Sequence, residues 1–249
     1  MTKLCNHNCI TCYLLLRVST GLNLNAFLSF LYLFFSKDAP SRLRFNIIKT
    51  YNITGGIILD AGGGTGNFAI PLSRTNFVVE VDIDRNAIKK AKKRNFSNGN
   101  MVFILADCRL LPFRDRIFTH AIAFELIEHL TMSDAVLMLK ELVYVLKENG
   151  LLLLSTPKRD RPVSLKFDGH IREYTKRELI NLLRIYFSNL KVSEYGGVIC
   201  MALEKLEVKA SKLLGYKNPL ILIIRTLESI LLRVDRFGEK NFLLIEANR

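Results

Sequence analysis

Two carboxylates and a run of glycines are the residues of this chain best suited to bind a ligand. The apolar stretch 57–59 ends in Asp60. Glycines then follow at every second position, at Gly62, Gly64 and Gly66. Glycine tolerates positive φ and lets the backbone approach a ligand without a Cβ in the way. A buried strand that breaks into such a turn before a helix is typical of a nucleotide-like ligand site.

A second acidic residue lies at the distance that a ribose-binding site requires. Residues 77–84 predict the next buried strand, with acidic residues towards its carboxyl end. In doubly wound sheets an acidic residue about 20 positions past the glycine loop accepts both ribose hydroxyls, and Asp82 fits that position. Glu80 is the rival for this role. Asp82 could also serve as the N-cap of a helix that starts near Arg85.

The pattern D-x-G-x-G-x-G at 60–66 resembles the first motif of class I S-adenosylmethionine-dependent methyltransferases. The generic pattern G-x-G-x-x-G fits less well, because its third glycine would fall on Asn67. Further stretches continue the resemblance in order: an Asp before Leu-Pro-Phe at 107–113, Glu-His at 128–129, and His-Ile-Arg-Glu-Tyr-Thr at 170–175. The resemblance covers residues 41–195 and is nearest to the type 11, ubiquinone-biosynthesis-like, group.

This resemblance implies S-adenosyl-L-methionine as cofactor and a role for each matching residue. Asp107 would accept from the adenine amino group, and the backbone N–H of Cys108 would bind the ring. The implied cofactor-binding residues are Asp60, Ala61, Gly62, Gly64, Gly66, Asn67, Asp82, Ile83, Asp107, Cys108 and Phe124. Two positions depart from the family: Glu80 replaces a small residue and Thr119 replaces an Asp.

Two histidines are the candidates for catalysis. His129 is the first, because it follows the predicted fourth strand, where ligands sit in open α/β sheets. His170 is the second, and with Tyr174 it is also a candidate for contact with the acceptor. Histidine ordinarily titrates near neutrality, which suits a general base. Either histidine could instead only shape the pocket. Thr175 and Glu178 predict a capping box for the next helix.

The alternation of strands and helical patterns predicts the α/β fold class. We expect a Rossmann-like doubly wound sheet of about seven mostly parallel strands with helices on both faces. Residues 1–40 are predicted to be a helical N-terminal extension, and residues 41–249 the methyltransferase domain. Residues 196–240 would be a helical insertion before the last strand. Its second helix has an apolar face, including Ile223, that we expect to pack on the core.

Three cysteines near the N-terminus raise the question of a metal. Cys5, Cys9 and Cys12 form C-x3-C-x2-C, which locally resembles the cluster motif of radical S-adenosylmethionine enzymes. A small zinc site that includes His7 is a second interpretation. The rest of the chain does not supply the barrel that a radical enzyme needs. We therefore predict no metal-binding residues.

The charge and hydropathy bear on partners and location. The net charge is +13 at pH 7, which suits nucleic acid or an anionic membrane surface, but the basic run at 89–94 is interpreted as a solvated helix face. The turn at 123–126 lacks the Asn/Asp-Pro-Pro-aromatic sequence of base-amine methyltransferases, so nucleic acid is not favoured. The apolar run at 26–35 is too short to span a bilayer. We expect a cytoplasmic protein, with peripheral contact on the inner membrane surface left open.

The sequence therefore predicts methyl transfer from S-adenosylmethionine to a small-molecule or lipid-like acceptor, at oxygen or carbon. An RNA-directed methyltransferase and a non-catalytic S-adenosylmethionine-binding protein are the alternatives. A nicotinamide oxidoreductase is disfavoured by Asp60 and by the missing glycine at position 67. The sequence leaves the oligomeric state undetermined.

Overall fold

Seven strands form one sheet in the order β3-β2-β1-β4-β5-β7-β6. The strands are β1 Ile57–Ala61, β2 Phe77–Asp82, β3 Met101–Leu105, β4 Phe118–Phe124, β5 Leu146–Pro157, β6 Asn189–Gly197 and β7 Lys240–Asn248. All neighbouring pairs are parallel except those that involve β7, which is antiparallel to β5 and β6. The predicted seven-stranded, mostly parallel Rossmann-like sheet is thus confirmed.

The structure, a computed structural model, describes part of the chain. It covers residue 48, residues 51–95, 100–160, 169–197 and 240–249, and most positions between 206 and 224. The cysteine motif, the whole of the predicted N-terminal extension and residues 198–205 and 225–239 of the insertion lie outside the described residues. Among the described residues, no helix has the length and apolarity needed to cross a membrane.

The central strands are buried because their sequences are almost wholly apolar, as parallel strands covered on both faces require. In β1, Ile58 and Leu59 have no exposed surface, and in β5 neither do Leu152 and Leu153. From β1 the chain adds β2 and β3 on one side of the sheet, and it then continues with β4 on the other side of β1. Such a reversal opens a crevice at the carboxyl ends of the strands, and ligands bind there in open α/β sheets.

Helices cover the sheet, and three of the four whose bounds are fully described begin after a residue whose side chain caps them. These four are α1 Ala69–Leu72, α2 Arg85–Arg94, α3 Met132–Val145 and α4 Lys176–Leu183, with a 3₁₀ turn at Ile127–His129. The side chain of Thr175 accepts from the backbone N–H of Glu178, whose own side chain accepts from the N-cap backbone. The predicted capping box is therefore present. The helix after the glycine loop is a single turn of four residues.

Thr119 performs a structural task at the position where the family has an Asp. Its hydroxyl accepts from the backbone N–H of Ile57 at 3.0 Å and donates to the carbonyl of the same residue at 3.0 Å. This reciprocal pair fastens the start of β1 to β4. The departure from the family motif therefore leaves the sheet intact.

Strand β5 contains a bulge near its start: Asn149 has φ of 61°, and the pairing with β4 passes from Leu146 to Leu151. One expectation needs correction. Ile223, expected on a core-facing surface, is 56% exposed. Its neighbours Ile221 and Ile224 are buried instead, and the rest of the predicted apolar face lies outside the described residues.

Candidate functional site

The glycine loop after β1 folds back against β2. The backbone N–H groups of Gly62 and Gly63 donate to the carbonyl of Val81 at 2.8 and 3.2 Å. Gly62, Gly64 and Gly66 have φ of 69°, 63° and 78°, values that L side chains rarely adopt. A Cβ on Gly64 would meet no atom within 4 Å. The loop therefore leaves open space beside Gly64, where a ligand could approach the backbone.

Asp82 lies at the end of β2 and holds this loop. Its Oδ2 accepts from the N–H of Gly64 at 2.8 Å, and its Oδ1 accepts from the N–H of Asp84 at 2.7 Å. The N-cap of α2 is Asp84, whose side chain accepts from Asn86. The alternative in which Asp82 caps that helix is therefore wrong. Ile83, another predicted cofactor residue, is 70% exposed at the same edge.

Glu80 and Asp60 lie deeper than Asp82. Both are buried, and a Cβ on Gly63 would fall 3.0 Å from Asp60 Oδ2 and 2.4 Å from Glu80 Cγ. These two carboxyl groups therefore lie beneath the loop, whereas Asp82 stands at the edge of the crevice. Of the two rivals for the ribose, Asp82 alone has this position at the edge.

Arg94 is a residue of this site that the sequence interpretation missed. Its Nη1 donates to the carbonyl and hydroxyl of Thr65, at 2.6 and 2.9 Å, and to Oδ1 of Asn67 at 2.7 Å. The basic run at 89–94 was assigned to a solvated face, which holds for its four exposed lysines and is wrong for Arg94. The sequence did offer one indication of this contact: Arg94 is the last residue of the predicted helix that follows the glycine loop and β2.

The carboxylate of Asp107 is engaged by Arg109. Arg109 Nε lies 3.0 and 2.9 Å from the two Asp107 oxygens, and its Nη1 lies 2.8 Å from Asp134 Oδ1. These bonds from Arg109 lower the pKa of Asp107, so this carboxylate stays ionised. The neighbouring Cys108 thiol has its pKa raised to about 11, chiefly by burial. The thiol is therefore neutral, and its backbone remains the predicted contact.

Of three further predicted cofactor residues, two have packing contacts and one accepts a hydrogen bond. Phe124, at the end of β4, is buried and meets Phe68 edge to face, with ring centroids 5.1 Å apart. Ala61 has no exposed surface, and the amide of Asn67 accepts from Arg94. The aromatic pair forms an apolar wall beside the glycine loop.

The structure brings the two candidate catalytic histidines together. His129 follows β4 in the 3₁₀ turn, and His170 lies in the loop after β5. Their rings meet edge to face with centroids 5.0 Å apart. His129 Nδ1 lies 2.9 Å from the carbonyl oxygen of Gly169. Because a carbonyl only accepts, Nδ1 is the donor in this bond, and in the neutral ring Nε2 then carries the lone pair that a base needs.

Backbone bonds fasten the His170 loop to the turn that bears His129. The N–H groups of Ile171 and Arg172 both donate to the carbonyl of Glu128, at 2.8 and 3.0 Å. His170 Nδ1 lies 3.0 Å from Glu173 Oε1. Tyr174 is buried, so its predicted contact with an acceptor would require movement. The pair of histidines is thus held by contacts between segments about 40 residues apart in the chain.

Glu128, His129 and His170 are also able in principle to bind a cation. Each offers one ligand atom, and these atoms lie within 4.8 Å of one another. Glu128 is fully buried, and its Oε2 accepts from the Thr156 hydroxyl at 3.0 Å. The expectation that the chain has no metal-binding residues stays a prediction.

Comparison with known proteins agrees with this geometry. Residues 58–150 match the family model described as a methyltransferase domain. A protein of Pseudomonas putida strain F1, the ubiquinone/menaquinone biosynthesis C-methyltransferase UbiE, is 36% identical over 119 residues. That alignment covers 45% of this chain and 45% of the relative, so the likeness extends over less than half of the curated relative.

Solved structures share the fold at low identity. Phosphoethanolamine N-methyltransferase 2 of Haemonchus contortus, in complex with S-adenosyl-L-methionine, has a TM-score of 0.61 at 16% identity, over 82% of this chain and 51% of that one. The [4+2]-cyclase SpnF has a TM-score of 0.55 at 16% identity, over 82% and 79% of the two chains. The second likeness illustrates that one fold can host different reactions.

Residues 58–150 are a class I S-adenosylmethionine-dependent methyltransferase domain on a Rossmann-like sheet. The matched segment runs from β1 into β5 and includes the glycine loop, Asp82, Asp107 and His129. The group to which this domain belongs uses S-adenosyl-L-methionine as its cofactor.

Proposed function

We propose that this chain transfers a methyl group from S-adenosylmethionine to a small-molecule or lipid-like acceptor, at oxygen or carbon. The observation that carries the proposal is the convergence of two sets of residues on one edge of the sheet. The glycine loop follows β1, and Asp82 is the last residue of β2. His129 follows β4, and His170 follows β5. Since β4 lies between β1 and β5 in the sheet, cofactor and acceptor would meet at neighbouring strand ends.

The residues at the loop fit S-adenosylmethionine. The open space beside Gly64 allows close approach, and the carboxylate of Asp82 at the crevice edge would accept the ribose hydroxyls. Asp107 would accept from the adenine amino group, with Cys108 N–H and Phe124 against the ring. The bound cofactor supplies a methyl group that is already activated on a sulfonium.

The chain's own residues would then align the acceptor and remove its proton. Holding two reactants in line can supply ~7–11 kcal/mol of the barrier. For a hydroxyl acceptor, Nε2 of His129 would take the proton, and a positioned base contributes about 10²–10⁴-fold in rate. His170, in edge-to-face contact with His129, would contact the acceptor or take over as base.

The acceptor that we favour is quinone-like. Support comes from the curated relative, which is named as a ubiquinone/menaquinone biosynthesis C-methyltransferase. A lipid-like acceptor would also explain the exposed apolar side chains of the insertion, where Leu213 is 85% and Leu206 52% exposed. We propose that this segment lets a cytoplasmic enzyme make peripheral contact with the inner membrane surface.

A labelled-methyl assay tests the proposal. Purified protein would be incubated with methyl-labelled S-adenosylmethionine and, separately, demethylated or hydroxylated quinones in detergent, small phenols, and RNA. We expect label in the quinone arm, strongly reduced by His129→Ala. Label in RNA alone, with RNA affinity that falls steeply as salt increases, would identify RNA as the acceptor in place of a quinone. No label in any arm despite cofactor binding would contradict the catalytic proposal.

A further inference from the structure

Glu80 places a carboxyl group in the interior, directly beneath the glycine loop. Its side chain has no exposed surface, and among the described residues neither carboxyl oxygen has a hydrogen-bond partner. An isolated buried carboxylate is very costly, so such a group normally remains neutral or acquires a partner. The family that this segment resembles usually has a small residue here.

Asp60 is the nearest acidic neighbour of Glu80. The two residues are register partners on the adjacent parallel strands β1 and β2, so their side chains project from the same face of the sheet. A Cβ on Gly63 would lie 2.9 Å from Glu80 Cδ and 3.0 Å from Asp60 Oδ2. The two carboxyl groups thus flank a single point under the loop, and two carboxylates so placed cannot both ionise readily.

The other groups around Glu80 leave it protonated at neutral pH. On its own strand, Asp82 adds a second negative charge, and from α2 the Arg94 guanidinium opposes that effect. The register partner on β3 is Phe103, and α1 contributes the apolar Ile70 near Gly66. Burial first, and the acidic neighbours second, raise the pKa of Glu80 to about 9. Burial also raises the pKa of Asp60 to about 7.

The loop packs closely on this side chain. A Cβ on Gly63 would come within 2.4 Å of Glu80 Cγ, and one on Gly66 within 3.1 Å of Glu80 Oε2. Water therefore reaches the Glu80 carboxyl only if these glycines move away. Ionisation of Glu80 and displacement of the loop are for this reason linked events.

We propose that Glu80 is a positioning residue for the cofactor loop: protonated Glu80 supports Gly63 and Gly66 from below, and loss of its proton drives the loop out of its cofactor-binding shape. The inference rests on the proposed function only in taking this loop as the place where S-adenosylmethionine binds. Its consequence is that cofactor affinity falls as the proton is lost at alkaline pH.

Calorimetric titration with S-adenosylhomocysteine at several pH values between about 7 and 10 tests this. The full chain would be compared with Glu80→Gln, an isosteric and permanently neutral variant, and with Glu148→Gln. Glu148 is an exposed control that pairs with Arg116 among the residues that the structure describes. Ionisation of the ligand's own amine affects all three proteins equally, so the ratio of affinities isolates Glu80.

We expect Glu80→Gln to bind within about twofold of the natural protein at pH 7. Above the pKa of Glu80, the affinity of the natural protein for S-adenosylhomocysteine should fall by up to about tenfold per pH unit relative to that of Glu80→Gln, because one proton is linked to the binding-competent state. Glu148→Gln should follow the natural protein. Identical pH profiles for all three would overturn the inference.

Unfolding measured against pH without ligand keeps the inference separate from the proposed function. The pKa of Glu80 is near 9 in the folded protein, against an ordinary value of 4.5. The folded state therefore binds the proton more tightly, and stability should fall as pH rises through this window. Glu80→Gln should lack that loss. If no ligand binds at any pH, the proposed function fails, while parallel stability profiles would show that Glu80 does not titrate and refute this inference.

Discussion

The proposed cofactor side and the proposed acceptor side of this molecule are built in different ways. The cofactor side consists of β1, its loop and the end of β2, where Asp82 and Gly64 are only 18 residues apart. The acceptor side joins the turn at His129 to the loop at Gly169, across 40 residues. The first can be recognised from spacing in the sequence, because one strand–turn–helix unit fixes it. The second depends on where separate loops meet.

This contrast separates binding from catalysis. Variants on the acceptor side should change turnover and leave cofactor affinity unaltered, whereas variants on the cofactor side should change affinity or folding first.

The largest effect is expected for His129→Ala. Loss of the base should lower turnover about 10²–10⁴-fold in the labelled-methyl assay, with S-adenosylhomocysteine affinity unchanged. His120→Gln is the matched control, since His120 lies on β4 away from the crevice edge and bonds to Thr119. Turnover equal to the natural protein's would remove His129 from the catalytic role.

On the cofactor side, Gly63→Ala and Gly64→Ala should fail for different reasons. At Gly63 the new Cβ would collide with Glu80 Cγ at 2.4 Å, so we expect about 1–3 kcal/mol loss of stability. At Gly64 there is room, but its φ of +63° strains any L side chain, so we expect about 1–2 kcal/mol loss of stability together with obstruction of the ligand. Denaturant unfolding measures the stability of each variant, and calorimetry measures its affinity for S-adenosylhomocysteine. A Gly63→Ala variant as stable as the natural protein would argue against close packing on Glu80.

Arg94→Ala should weaken cofactor binding by a smaller amount. The guanidinium makes three bonds to Thr65 and Asn67, and a hydrogen bond to a charged group contributes ~1.5–3 kcal/mol, less where it is half exposed. We expect a several-fold loss of S-adenosylhomocysteine affinity. Lys93→Ala, one position earlier on the exposed face, should bind normally. Unchanged affinity in Arg94→Ala would mean that the loop holds its shape without this residue.

The smallest effect is expected for Thr175→Ala. It removes the capping box of α4 and should cost about 1 kcal/mol of stability. The midpoint temperature of unfolding should fall. The affinity for S-adenosylhomocysteine should stay constant, because α4 follows the His170 loop and not the glycine loop. A change in affinity would show that the two sides are more tightly coupled than their construction indicates.

The sequence predicted the sheet and the cofactor loop well because local patterns determine them. The apolar strand before Asp60, the glycine spacing and the carboxylate at Asp82 all lie within one βαβ unit. The contact between the rings of His129 and His170 could not be predicted, since it depends on how far the β5 loop folds back. Arg94 was missed because a run of basic residues on a helix is normally solvated. Its side chain instead bonds to Thr65 and Asn67, and the spacing of basic residues does not reveal that contact.

Glu80 illustrates a third case. The sequence showed an unusual residue, but its depth follows from register: pairing with Asp60 directs both carboxyl groups under the loop. Spacing alone left Glu80 and Asp82 as rivals for the ribose. The structure separates them by burial, because the first has no exposed surface and the second ends its strand at the crevice.

The most direct test of this account is calorimetric titration of the purified protein with S-adenosylhomocysteine and, in parallel, with NADH. We expect micromolar binding of S-adenosylhomocysteine alone, lost in Asp82→Ala and retained in the helix-capping variant Asp84→Ala. Binding of NADH instead, or S-adenosylhomocysteine binding that survives in Asp82→Ala, would contradict the assignment of the loop and Asp82 as the cofactor site.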